Sequence, residues 1–406
     1  MESQLGWTLL SRDALRRAET QLRDDLEGVR DEIGFLALHQ AYSDRFFPGT
    51  SVLHTRLRYV LFVPWMYEKI ARHQARQRVA DVLQREELEL TRRLLHLGEK
   101  QGIIGSRNYP KPTAQPPSMI YWSALGAWRI LRPLASGIYP SRQTVHRAIA
   151  KKESRQQLRD EDKQLLIEEE PLFGAVPPAP SEWHSASEEL DFSLRPNEQQ
   201  FLRACFLTVS RPESESTPSL LARLVEENVG LGDRDPLWSR KVSSVADGDD
   251  RNALKRARQA AALAAIGRGV YAAMVEEMRD RHDGVPTEDV HRQNLASVCD
   301  EHSAEALSLN IDEIAVDAPS MPGGILEVLR ATQEWLSRDR RDVMSLHDVY
   351  ERAEYGRKFR RARLRKSVAG REKRAEWTPK DSAEAEPLHY RWRQVRQLLI
   401  DLQEVA

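Results

Sequence analysis

Apolar residues in this chain recur every three to four positions almost from end to end. Leu15, Ala18, Leu22, Leu26 and Val29 set the period behind Ser11, an expected N-cap, and the last instance is HYRWRQVRQLLIDLQEV. That spacing gathers side chains on one face of a helix, whereas a half-buried strand needs alternation at every second residue, and no stretch carries it. No segment repeats at a fixed interval either, so a solenoid is not indicated. The expected fold class is mostly α, built of many helices.

Proline and glycine divide the helices. Pro48-Gly49 closes DEIGFLALHQAYSDRFF, and Thr50 or Ser51 is expected to cap the next helix, with Leu53, Leu57, Val60, Leu61 and Met66 on its apolar face. Pro64 is expected to kink or interrupt that helix, because its ring removes a hydrogen bond and crowds the preceding turn. A charged helix is expected from Arg72 to Lys100, a loop over QGIIGSRNYPKPTAQPPS, a buried helix over MIYWSALGAWRILRPL, and a helix capped by Ser141 over RQTVHRAIAKKES. The segment 171–183, PLFGAVPPAPSEW, is proline-rich and follows an acidic run. It reads as a linker between two helical lobes, 1–170 and 184–406, the second carrying a basic segment at 357–374. A chain of 406 residues is longer than one hydrophobic core usually serves, which fits that division.

Several chemistries lack their residues. There is no Gly-rich phosphate loop ending in Lys-Ser or Lys-Thr, no Gly-x-Ser-x-Gly elbow, no helical His pair around a glutamate and no His-x-Lys motif. The acidic run RDEDK (Arg159 to Lys163) lies among charges with no apolar frame and reads as a solvated face. Cys299 and His302 stand one helical turn apart, with His282 and His291 upstream, but a metal site wants about four ligands and no second local pair is present. No catalytic residue, metal or cofactor is indicated. Two cysteines, Cys205 and Cys299, suit neither a disulfide framework nor a zinc site built on cysteine pairs, and a reducing compartment is expected. MESQLGWTLLSRDALRR lacks the basic start and apolar block of a signal peptide, and the apolar runs are too short or too interrupted to cross a bilayer. The expected location is cytoplasmic, without membrane contact.

Charge is informative only locally. Lys+Arg number 61 and Asp+Glu 62, so the whole chain is nearly neutral. Yet 357–374 carries ten Lys/Arg against one acid, Glu372. Arginine pairs bidentately with phosphate, and cations clustered on a polyanion release its counterions. Arg357, Lys358, Arg360, Arg361, Arg363, Arg365 and Lys366 are therefore candidate contacts to DNA, with Phe359 and Leu364 expected to hold the segment to the body. Arg391 and Trp392 are expected in support, the indole stacking on a base or on an arginine. Three alternatives compete: acidic runs such as RDEDKQLLIEEE pair with the patch, a protein partner docks on it, or it is simply solvated. No base-reading finger or aromatic sheet is visible, so contact would be non-specific. SRQTVHRAI could serve as the second helix of a helix-turn-helix, with Arg142, Gln143, His146 and Arg147 on its polar face.

FPGTSVLHTRLRYVLFVPW, Phe47 to Trp65, is the densest apolar stretch. Phe47, Leu53, Leu57, Leu61 and Trp65 read as core. Arg56 and Arg58 are its odd members, and one of them is expected to be buried against Asp31 or Glu32 as a structural pair. The sharper reading makes Gly49, Thr50, Ser51 and Arg56 an anion site, using free N–H groups.

GWTLLSRDALRRA, RDEIG, FPGTSVLHTRLRYVLFVPWMY, QGIIG and QPPSMIYWSAL together resemble a bacterial family, domain of unknown function 6361. YGRKFRRARLRK and YRWRQVRQLLIDL fit the same pattern. The resemblance implies a setting beside helicase and phospholipase-D-like genes in bacterial defence islands, and it supplies no catalytic residue. The functional expectation is a non-catalytic accessory subunit of an anti-phage or nucleic-acid-processing system, binding DNA through the basic patch or docking a helicase or nuclease. A protein–protein adaptor and a nuclease with a dispersed active site are the alternatives.

Overall fold

The structure is a computed structural model that describes residues 31–72, 78–96, 101–155, 171–185, 190–319, 321–338, 342–378 and 385–404. The expected helix after Ser11 and the RDEDK run lie outside the described residues. The helices are, in chain order, α1 Phe35–Phe46, α2 Tyr59–Arg72, α3 Val79–Leu95, α4 Pro117–Ile120, α5 Trp122–Ala127, α6 Arg142–Arg155, α7 Ser181–His184, α8 Pro196–Leu207, α9 Leu220–Glu226 and α10 Arg240–Val245. They continue with α11 Gly248–Glu277, α12 Val290–Leu307, α13 Ile314–Asp317, α14 Gly323–Leu336, α15 His347–Lys358, α16 Val368–Ala375 and α17 Trp392–Gln403. Two short strands, β1 Ser210–Arg211 and β2 Ser214–Pro218, pair antiparallel as a hairpin. The protein is mostly α, as the 3.6 period predicts.

The contacts cluster into two compact units. One joins the described residues through Tyr42 to Asn252–Tyr390; the other joins Ser43–Arg251 to the described residues from Arg391 onward. The units do not divide at 171–183. That segment belongs wholly to the second unit, where Phe173 is buried and Trp65 Nε1 donates to Pro177 O at 2.8 Å. Prolines here shape an extended path across a core rather than a free spacer: Phe173 pairs through a bridge with Leu131.

In the second unit α2 is buried at every position from Tyr59 to Tyr67. It begins at Tyr59, not at Thr50 or Ser51, and Pro64 lies inside a continuous helix. The reason is local. Residues 47–58 fold as turns because Thr50 Oγ1 donates to Phe47 O and Ser51 Oγ accepts from Leu53 N. Asp401 of α17 accepts the Leu57 N–H at 2.7 Å, placing a carboxylate where the helix dipole is positive. The expected long helix over 119–134 is instead two short ones, α4 and α5, ended at Trp128 and followed by Arg129 at a positive φ of 57°. α3 follows its amphipathic pattern, with Val79, Leu83, Leu90 and Leu94 inward, and carries Asp81 in the first turn and Arg92 and Arg93 in the last.

In the first unit the alanine-rich run of α11 forms the centre. Ala257, Ala260, Ala264, Ala265 and Ala273 are fully buried, and small side chains let neighbours approach closely. Gly267 is the tightest approach, since a Cβ there would meet the Phe35 ring. Asp31 opens α1 by accepting from Gly34 N at 2.8 Å and Leu36 N at 3.1 Å.

Candidate nucleic-acid interface

The segment after α15 is pinned from inside. Glu354, fully buried, accepts from Tyr271 Oη at 2.6 Å and from two successive backbone N–H groups, Arg363 at 2.9 Å and Leu364 at 2.8 Å. His347 Nε2 bonds Leu364 O at 2.8 Å. Arg374, also fully buried, lays Nε and Nη2 on Asp283 at 2.7 Å each and donates Nη1 to the carbonyls of Arg363 and Arg365. Ala362 and Leu364 point into the core. Gly370 packs so closely that a Cβ would strike the Arg365 carbonyl. The backbone from 362 to 365 is thereby held, and side chains on its other side are presented outward.

This geometry sorts the ten basic residues of 357–374. Arg357 pairs with Asp31, while Lys358 and Arg363 share Glu32. Arg365 reaches Glu351 at 3.2 Å and lies 4.3 Å over the Tyr355 ring. Arg371 donates to Asp283 O, Lys373 pairs with Glu376, and Arg374 is the buried anchor. Arg360, Arg361 and Lys366 are exposed and form no ion pair among the described residues. Of the seven candidates in this segment, then, four hold the fold and three face outward. Arg357, Arg360, Arg361 and Arg365 do not share one helical face, because α15 stops at Lys358 and Phe359–Arg361 is one turn of 3-10 helix.

Two aromatic expectations exchange places. Trp392 is 4% exposed, its Nε1 donates to Asp235 O at 2.8 Å, and its ring lies 5.7 Å from Phe47. Arg391 is buried too, bonded to Asp44 at 2.6 Å and to Thr50 O at 2.8 Å. Both belong to the interior of the second unit. Phe359, expected as an anchor, is 64% exposed instead.

The donors expected to receive an anion near Gly49 have protein acceptors. Thr50 N bonds Phe47 O, Ser51 N bonds His54 Nδ1, and Arg56 lays Nε on both oxygens of Asp401 at 3.0 Å. Thr50 and Ser51 are buried, and Gly49, at φ +80°, is pressed against Ala127 and Trp128. What the stretch does contain is a charge cluster. Arg58 is fully buried and engages Glu198 at 2.9 and 3.0 Å, Asp191 at 2.9 Å and Glu182 at 3.4 Å. The expected buried arginine exists, but its partners come from α7, α8 and the segment between them, whereas Asp31 and Glu32 serve the basic segment.

A concavity of about 140 Å³ lies in the second unit, between α3 and the proline-rich loop before α4. Glu87, Thr91, Lys111 and Arg142 line it. Burial pushes the Glu87 carboxyl up, although Ser118 N–H donates to it at 3.0 Å. His146 of the suggested recognition helix bonds Tyr67 Oη at 2.9 Å, which draws that helix face toward the core. Cys299 is buried, and the described residues contain no group of three or more His, Cys, Asp or Glu side chains placed to hold a metal. No helix among them is long and apolar enough to cross a membrane.

No curated protein and no solved structure matches the chain. One family model does, described as a family of unknown function, over residues 2–344. The matched range ends before the basic segment, so YGRKFRRARLRK and YRWRQVRQLLIDL lie beyond it. With most of its length inside that range, the chain belongs to the family of unknown function DUF6361.

Proposed function

We infer that this protein is a non-catalytic accessory subunit that holds nucleic acid by its phosphates, without sequence preference, through Arg360, Arg361 and Lys366. The observation that carries this reading is the sorting of the basic segment. Seven cations meet a carboxylate or a carbonyl, and the three that do not stand exposed on the outer side of a pinned turn. Exposed arginines with no internal carboxylate keep their forked donors available for phosphate oxygens. The resemblance to a family of bacterial defence islands adds the setting: an anti-phage or nucleic-acid-processing complex in the bacterial cytoplasm, with a helicase or phospholipase-D-like protein as partner.

The test is fluorescence anisotropy on short DNA across a salt series. Three phosphate contacts give a slope of log affinity on log salt of about −2 to −3, whereas engagement of the whole segment would approach −9. Charge reversal of Arg360, Arg361 and Lys366 together abolishes binding and leaves the fold intact. Absence of DNA binding at low salt overturns the reading and leaves the protein–protein adaptor, whose partner would be lost by the same triple variant.

A further inference from the structure

Phe359 sits in a conformation that its residue type disfavours. Its φ is 50° and ψ −119°, on the positive-φ side where a Cβ crowds the backbone at an energetic cost. A glycine would relieve that cost. The ring contributes no core packing in return, since it is 64% exposed. It projects beside Tyr355, itself 38% exposed, with ring centroids 6.0 Å apart and planes inclined at 66°. On Tyr355 lies the Arg365 guanidinium, 4.3 Å from the ring centroid. Arg365, Tyr355 and Phe359 thus form a short row of π faces, and Arg360, Arg361 and Lys366 flank it as exposed cations.

We propose that Phe359 and Tyr355 form a stacking platform for the unpaired bases of single-stranded nucleic acid. In a duplex each base face is covered by its neighbours, so an exposed ring gains little there. Unpaired bases offer both faces, and stacking on an aromatic ring strengthens binding about tenfold or more per base whatever the sequence. Cations beside the ring then meet the phosphates that flank the stacked base. Tyr355 lies in the last turn of α15 and Phe359 just past its end, and the buried bonds from Glu354, His347 and Arg374 fix the segment that follows. The assignment rests on the phosphate-contact reading above and adds the strandedness of the ligand.

The experiment measures binding of the full chain to a single-stranded oligonucleotide carrying 2-aminopurine, and to its duplex, by anisotropy and by 2-aminopurine fluorescence. Wild type is expected to prefer the single strand by about tenfold or more and to change the 2-aminopurine emission on binding. Phe359→Ala should lose about tenfold of single-strand affinity with no change in duplex affinity or salt slope, and Phe359→Trp should restore it. Single-strand affinity and emission in Phe359→Ala equal to wild type would overturn the platform while leaving phosphate contact standing. Loss of all binding in the Arg360, Arg361 and Lys366 triple reversal, with that result, would locate the whole affinity in the cations. If wild type binds neither form, both readings fail and the patch is a protein-docking surface.

Discussion

Arg58 and Glu198 are both fully buried and face each other fork to fork, Nε on Oε2 at 3.0 Å and Nη2 on Oε1 at 2.9 Å. The same Oε2 accepts the Arg195 N–H at 3.1 Å, so one carboxylate closes the first turn of α8 and neutralises an arginine from the entry to α2. Breaking such a pair leaves a charge in the interior, which costs about 3–5 kcal/mol. Arg58→Met and Glu198→Gln should each lower the urea midpoint steeply. Arg58→Met combined with Glu198→Gln should cost less than the sum of the two single effects, and a double-mutant cycle measures that difference.

Gly49 and Gly137 both lie at positive φ, +80° and +77°, yet only Gly49 is hemmed in. A Cβ there would stand 2.5 Å from Ala127 Cβ and 2.7 Å from Trp128 Nε1, whose hydrogen bond to Pro48 O it would disturb. Gly137 has no atom within 4 Å of that position. Alanine at 137 should therefore cost about 1 kcal/mol of backbone strain, and alanine at 49 should cost about 1–3 kcal/mol more through overpacking. Thermal midpoints of the two variants compared side by side check the contrast.

Trp392 and Phe359 should behave oppositely on truncation. Trp392→Ala empties a core position and should cost about 3–5 kcal/mol, with the DNA salt slope unchanged under conditions where the variant is folded. Phe359→Gly removes an exposed ring and suits the backbone, so it should leave the unfolding free energy unchanged or raise it by about 1 kcal/mol at most, as thermal unfolding reads. A fall in stability for Phe359→Gly comparable with that of Trp392→Ala would contradict the exposed placement of the ring.

His54 gives the acid limb of stability a defined sign. Its Nδ1 accepts the Ser51 N–H at 3.3 Å and its Nε2 meets Ile120 O at 3.3 Å, an arrangement for a neutral ring stacked on Tyr121. Burial, with the nearby Arg391 charge, lowers its pKa from 6.5 to about 3. His146 is likewise lowered by burial and Arg142, to about 4. Between these values and 6.5 the unfolded chain binds protons that the native protein refuses. The contribution is complete above pH 6.5 and is lost progressively as pH falls toward 3. Unfolding free energy should decline from pH 6.5 to 5, by up to roughly 1 kcal/mol per pH unit for the buried His54. His54→Gln should be less stable at pH 8 but show a flatter decline, as urea titrations at stepped pH would reveal.

The sequence by itself determined the helical class, the Ser141 cap and the core role of Phe47, Leu57, Leu61 and Trp65. Each is written in the 3.6-residue period and in capping chemistry, which act within a few residues of the chain. Tertiary structure decided which charges are free. Asp31 and Glu32 stand more than three hundred positions from Arg357, Lys358 and Arg363, and Asp401 is similarly distant from Arg56. Pairing over such separations leaves no periodic trace, so a run of ten cations reads as one patch although most of it is neutralised in place. The fates of Trp392 and Phe359 were hidden for the same reason. An aromatic ring is buried or presented according to what packs against it, and here Phe47 and Asp235 cover one while a backbone turn beyond the end of α15 exposes the other.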